Sequence, residues 1–173
     1  MAWLGRLPPG IADEVHAQWA RFAEVRGTLP DFVDGHQHVH ALPGVRPLVL
    51  AAASQAQRPV RNTGRVLGPG FPFKRAVIAA CGGRALAQAA SRQGVAQPSA
   101  LVGVYDFHPA ADYRALVRGW LQTAPDRALL FCHPASGDPD PGDPIAAARQ
   151  REAAYLASDL FMQDLAAAGV VLG

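Results

Sequence analysis

Lysine is almost absent from this 173-residue chain. Lys74 is the only one, and the remaining basic residues are arginines scattered without a run. The formal net charge is +2, too small and too dispersed to track a phosphate backbone, which argues against a nucleic-acid partner. Cysteine is scarce too. Cys81 and Cys132 stand far apart in no CxxC pattern, which fits two reduced core thiols in a cytoplasmic protein and argues against a disulfide scaffold. No apolar run is long enough to span a bilayer, and the opening MAWLGRLPPG lacks the apolar core of a secretory leader. The GPG of residues 68–70 is not followed by GK[ST] and opens no dinucleotide-binding unit, and no G-x-S-x-G elbow occurs, so a phosphate loop and that kind of serine hydrolase are not indicated.

What remains is a chain of 50% hydrophobic and 17% charged residues, long enough to bury a core as one domain over residues 1–173. Its pattern alternates. IADEVHAQWARFAEVRG places Ile11, Val15, Trp19, Phe22 and Val25 on one helical face and stops at Gly27. Further helices are expected at GVRPLVLAAASQAQ, with Pro47 tolerated in the first turn, at FKRAVIAACGGRALAQAASRQG, weakened by Gly82-Gly83, at AADYRALVRGWLQTA, with Tyr113, Leu116, Val117 and Trp120 inward, and across IAAARQREAAYLASDLFMQDLAAAG. Trp120 and Tyr155 fit packing at helical spacing. Short buried strands are expected at DFVDG, RPVRN, ALVGVYDF, RALLFCHP and the final VVLG. Strand and helix in alternation predict an α/β fold with a parallel sheet and covering helices.

Polar residues gather where these strands end. Asp34 and His36 follow the first, Arg61 and Asn62 the second, Tyr105, Asp106 and His108 the third, His133 the fourth. The C-terminal edge of a parallel sheet is where α/β active sites lie. The stretch PDFVDGHQHVHALPG carries the densest signal. In an extended segment Asp34, His36, His38 and His40 would share one face. Neutral imidazoles at that spacing suit a divalent cation, and Asp34 could serve either as a ligand or as the partner that fixes an imidazole tautomer. The alternative is an exposed loop with clustered histidines. In FCHPA, Pro134 keeps His133 extended, so it is either a general acid or substrate contact, or a hydrogen-bonded strand end. Arg61 could clamp a carboxylate or lie on the surface. His16, on a helix among apolar positions, fits a structural role.

Taken together, PDFVDGHQHVHALPGV, VGVYDF, FCHPA and DPIAAARQREAAYLASD resemble the YdjC-like carbohydrate deacetylase family through nearly the whole chain. The resemblance implies a distorted or incomplete (β/α) barrel and hydrolysis of an N-acetyl group from an amino-sugar substrate, such as a chitooligosaccharide or a hopanoid-linked glycan. It also implies one divalent ion, Mg or Zn, held by an aspartate and two histidines. By motif, His36 takes a metal-ligand position, His38 and His40 line the pocket with Tyr105 and Asp106, and His133, Asp34 and Arg61 take catalytic positions.

The resemblance covers the family's C-terminal two-thirds. The Asp-Asp-Phe-Gly and Gly-Leu-His motifs that supply the other metal ligands have no counterpart, since only Asp13 and His16 precede residue 30. Leu129 stands near the family's glutamate ahead of Cys-His-Pro. The rival expectations are an inactive remnant, one half of a split enzyme, a homodimer that covers the open edge, or another barrel metallohydrolase of amidohydrolase type.

Overall fold

The computed structural model describes residues 9–173; most of the opening MAWLGRLPPG segment lies outside them. Helix α1 spans Ile11–Arg26 and ends where Gly27, at φ 69°, donates its N–H to Ala23 O. The remaining helices are α2 (Arg46–Ala56), α3 (Pro72–Ile78), α4 (Arg84–Arg92), α5 (Tyr113–Thr123), α6 (Ala146–Leu156) and α7 (Asp159–Ala167). Prolines at the starts of α2 and α3 supply a preset φ where no intrahelical N–H is needed. The Asp112 carboxylate caps α5 by accepting from Ala115 N.

Between the helices the chain runs in short parallel segments. Val33 bridges Val60, and Val66 bridges Leu101. Strand β1 (Leu101–Val102) pairs in parallel with β2 (Leu129–Leu130). Lateral order therefore follows chain order. The regular ladders are shorter than the apolar runs suggested, and VVLG forms no strand: Val171 is 91% exposed. Apolar composition alone does not make a strand without a neighbouring backbone to pair with.

The core forms two clusters. One joins Val49, Leu50 and Ala53 of α2 to Val60, Leu86, Ala90 and Val95. The other surrounds Trp120, with Tyr105, Tyr113, Val117, Ala148 and Tyr155. The inward face expected for α5 is the one observed, with Leu116 at its margin. The apolar stripe of α1 is not buried: no residue of that helix is, and Phe22 and Val25 are exposed beside a shallow groove. His16 is exposed on the same helix, and Cys81 and Cys132 are free and exposed, not core thiols.

The expected weak point at Gly82-Gly83 is a π-helical break, Ala79–Gly83, between α3 and α4. A Cβ on Gly82, which sits at φ +100°, would lie 2.3 Å from Ala41 O, and one on Gly83 would lie 2.3 Å from Thr63 O. Two glycines thus let the helix pair press onto the backbone beside the histidine block and the Arg61 segment.

Candidate active site

The histidine block does not run as an extended strand. His36–Ala41 is a short 3-10 turn in which Gln37 and His38 adopt φ 49° and 64°. Strand alternation is lost here because the left-handed residues turn the chain before a strand register can form. The three imidazoles consequently have three different surroundings. His36 is exposed, and its imidazole makes no hydrogen bond among the described residues. His38 is half-buried. His40 is 1% exposed.

His40 is a cross-link. Its Nδ1 accepts from Gly35 N at 3.1 Å, which leaves the proton on Nε2, and Nε2 donates to Arg61 O at 3.2 Å. With both nitrogens engaged and the ring enclosed, His40 cannot contact substrate, contrary to expectation. Its Nδ1 also lies 3.8 Å from Asp34 Oδ1, but the Gly35 donor makes that nitrogen a neutral acceptor, so the contact is not an ion pair. Burial, and then the charge of Arg61, hold its pKa below the usual value.

Arg61 is the hub. Its Nη2 lies 2.7 Å from Asp34 Oδ1, donates to Gly35 O at 3.0 Å and faces His38 Nδ1 at 2.9 Å. A guanidinium only donates, so His38 Nδ1 accepts and Nε2 carries the proton of the neutral ring. Burial, followed by the positive charge of Arg61 and the neighbouring His40 and His133, pushes the His38 pKa down to about 4. His38 is thus an N–H donor at neutral pH. Asp34 is 37% exposed and its Oδ2 has no protein partner among the described residues. Arg61 also lies 5.9 Å from the centroid of Phe131, whose ring is 5.2 Å from His133. This brings Asp34, His38, Arg61 and His133 together at the C-terminal edge of the parallel segments.

His133 stands between the edges of Phe131 and Phe107, the latter at 5.1 Å. Its buried Nδ1 has no hydrogen-bond partner among the described residues. Burial lowers its pKa; the nearby Glu152 opposes this, while Arg149, Arg61 and Lys74 add to it. The backbone on both sides is tied to α6: Glu152 Oε2 accepts from His133 N, and Arg149 Nη1 donates to His133 O at 3.2 Å.

Tyr105 differs from expectation. It is 1% exposed and its hydroxyl donates to Glu152 Oε1, so it packs beneath the site and does not line it. Asp106 is exposed and receives His108 N at 3.0 Å, opening the turn that leads to α5. It stands at the rim with Lys74, whose Nζ donates to Tyr105 O at 2.6 Å and lies 4.6 Å from the Phe107 ring centroid. Asn62 is occupied structurally, accepting from Gly64 N and donating to Pro98 O.

Sequence reasoning missed Glu152. It is fully buried on α6, in line with Ala148 and Tyr155. The available signal was a lone carboxylate at helical spacing within an otherwise inward stripe, in a chain with only three glutamates.

A divalent cation needs three or more converging donors in a catalytic site. Among the described residues no three His, Cys, Asp or Glu side chains converge in that way. His38 Nδ1 and both His40 nitrogens are already committed, and Asp34 Oδ1 faces Arg61. The donor set of these residues does not fit the ion that the resemblance implies.

The comparisons agree with this architecture. A stretch of 48 residues, 28% of the chain, is 54% identical to a carbohydrate deacetylase of Mus musculus, and covers 15% of that protein. A stretch of 51 residues is 45% identical to a chitooligosaccharide deacetylase of Yersinia pestis (strain Pestoides F), covering 30% of the chain and 20% of the relative. The matches thus span at most a fifth of these relatives. A crystal structure from Enterococcus faecalis V583, provisionally described as a cellobiose-phosphate cleavage protein, superposes with a TM-score of 0.65 at 22% identity, over 94% of this chain and 57% of that one. At that identity it speaks for the fold alone. The model of the YdjC-like protein family matches residues 6–167. With the match running through almost the whole chain, and the Asp34–Arg61–His38 cluster and His133 at one sheet edge within it, the chain belongs to the YdjC-like family.

Proposed function

We propose that this chain carries part of the catalytic apparatus of a carbohydrate deacetylase, which hydrolyses the N-acetyl amide of an amino sugar to acetate and a free amine. The four parallel segments in sequential lateral order are, in this reading, an arc of a (β/α) barrel. The observation that carries the reading is the cluster in which Arg61 holds Asp34 and His38 beside His133.

The roles follow from protonation and exposure. Asp34 is pinned through Oδ1 and leaves Oδ2 able to accept a proton from an attacking water. His38, a neutral N–H donor, is suited to the amide carbonyl oxygen as negative charge develops there. His133 would give a proton to the departing nitrogen as the C–N bond breaks. His36 and Asp106 stand at the exposed rim, where sugar hydroxyls would meet them, and His36 is the one imidazole of the block still able to ligate an added ion. The names of the matched relatives support an acetylated amino sugar as the substrate class.

A second reading, a binding module or an inactive remnant, is favoured by one observation: no three-donor cage forms among the described residues. Acetate release from short N-acetylglucosamine oligomers, measured with and without added Mg and Zn, separates the two. Release that falls at least ~100-fold in Asp34→Asn and His133→Ala supports the deacetylase. Oligomer binding without release by the wild-type chain in every metal supports the second reading.

A further inference from the structure

We propose that Glu152 is the positioning residue for His133: one buried carboxylate fixes the main chain at the proposed acid and sets a negative charge beside its imidazole. The inference rests on the deacetylase reading for its purpose, though its geometry does not depend on it.

Glu152 is 0% exposed and no cation pairs with it among the described residues. The arginines on either side of it along α6 are engaged elsewhere, Arg149 with Asp143 and the His133 carbonyl, and Arg151 with the carbonyls of His108 and Pro109. Its two oxygens accept from Tyr105 Oη and His133 N. A backbone N–H can only donate. Tyr105 keeps its proton, because burial and the bond to Glu152 both push its pKa up. Two donors on two oxygens is the pattern of an ionised carboxylate. Burying such a group without a cation is costly, and the core cluster around Trp120 would pack as well around a neutral side chain of the same size. What a neutral side chain would not supply is negative charge beside His133.

That charge opposes everything else near the ring. Lys74 of α3, Arg61 beside the histidine turn and Arg149 of α6 all disfavour the imidazolium, as does burial, and His38 lies close enough to couple with it. Among the described residues Glu152 is the one group of opposite sign beside it. The geometry is equally specific. Bonds to the N–H and C=O of residue 133, both from α6, hold the peptide units on either side, while Phe107 and Phe131 fix the ring from two edges.

Glu152→Gln is the informative variant. The amide keeps the volume and can still accept from His133 N–H, with the Tyr105 hydroxyl turning to accept from the new NH₂. The His133 ring is titrated by long-range ¹H–¹⁵N NMR in the full chain. A fall of at least ~0.5 pH unit in the His133 midpoint, with a matching shift in the pH profile of kcat, is expected. An unchanged midpoint in a folded variant overturns the inference, since a merely structural residue would alter stability and leave the titration in place. If the variant does not fold, the wild-type His133 amide decides: a downfield, exchange-protected proton is expected, and a freely exchanging one overturns the inference. A wild-type chain that releases no acetate refutes the deacetylase reading, and the NMR result still stands or falls by itself.

Discussion

Replacing His40 by alanine tests whether the histidine block is held by a buried cross-link. The ring joins Gly35 N and Arg61 O across 21 residues of sequence, at 3.1 and 3.2 Å. Neither backbone group has another partner among the described residues. Alanine would orphan both. A buried polar group left unsatisfied costs about 1–3 kcal/mol, and losing the packed ring adds a cavity term on the order of 1 kcal/mol. The expected destabilisation, two orphaned groups plus the cavity, is therefore about 3–7 kcal/mol, a large share of the roughly 5–15 kcal/mol that holds a domain together. Urea unfolding followed by tryptophan fluorescence measures it. Two controls resolve the halves of the link. Asparagine places an acceptor near the Nδ1 position and glutamine a donor near Nε2, so each is expected to recover about 1–2 kcal/mol. A loss below about 1 kcal/mol for His40→Ala, or no recovery by either control, would refute the cross-link and return His40 to the list of substrate contacts.

Other outcomes follow from the same geometry. The pKa of His38 lies near 4 in the fold against an ordinary 6.5. The unfolded chain therefore takes up this proton first, and the associated stability is complete above about pH 6.5 and is lost as pH falls toward 4. Half-exposure screens the effect to about 1–2 kcal/mol; the urea midpoint of His38→Asn, which still offers Arg61 an acceptor, should fall less between pH 7 and pH 5 than that of the wild type. Arg61→Ala removes the shared donor of Asp34, Gly35 and His38 and is expected to cost about 2–4 kcal/mol and to abolish acetate release; a stable, active variant would contradict the hub. Gly103 sits at φ +113°, and an added Cβ would lie 2.3 Å from Phe131 O, so Gly103→Ala should part β1 from β2 and lower stability by more than about 2 kcal/mol, read by thermal melting.

The order of elements was legible in the residues themselves. Helical periodicity marked Tyr113, Val117 and Trp120 as inward, and they are buried. The glycine pair at 82–83 marked a weak helix, and the helix breaks there. Polar residues at the ends of apolar runs marked one sheet edge, and of these Asp34, Arg61 and His133 gather there, joined by His38, whereas Tyr105 and Asn62 are taken up in packing and a loop. These features are local: period, turn chemistry and capping act over a few residues. The turn of the histidine block is not legible in its spacing, because a period of two appears equally in a strand and in a chance spacing; the enclosed, doubly bonded His40 and the seat of Gly82 against Ala41 O are tertiary. The α1 stripe is apolar by period, yet Ile11, Val15 and Trp19 are only half-buried and Phe22 and Val25 lie exposed, because burial needs a partner surface that no helical pattern contains.

The tertiary structure alone decided the chemistry of each group. Whether an imidazole is a cross-link, a donor or free depends on what lies beside it after folding, and His36, His38 and His40 received three different answers within five residues. Glu152 reaches His133 across 19 positions and Tyr105 across 47. Nothing in a linear pattern encodes that meeting, since contact between distant residues is fixed by the packing of α6 on the sheet edge. Composition, period and turn residues set which elements form; the closing of those elements onto one another sets which nitrogen carries a proton and which carboxylate is buried.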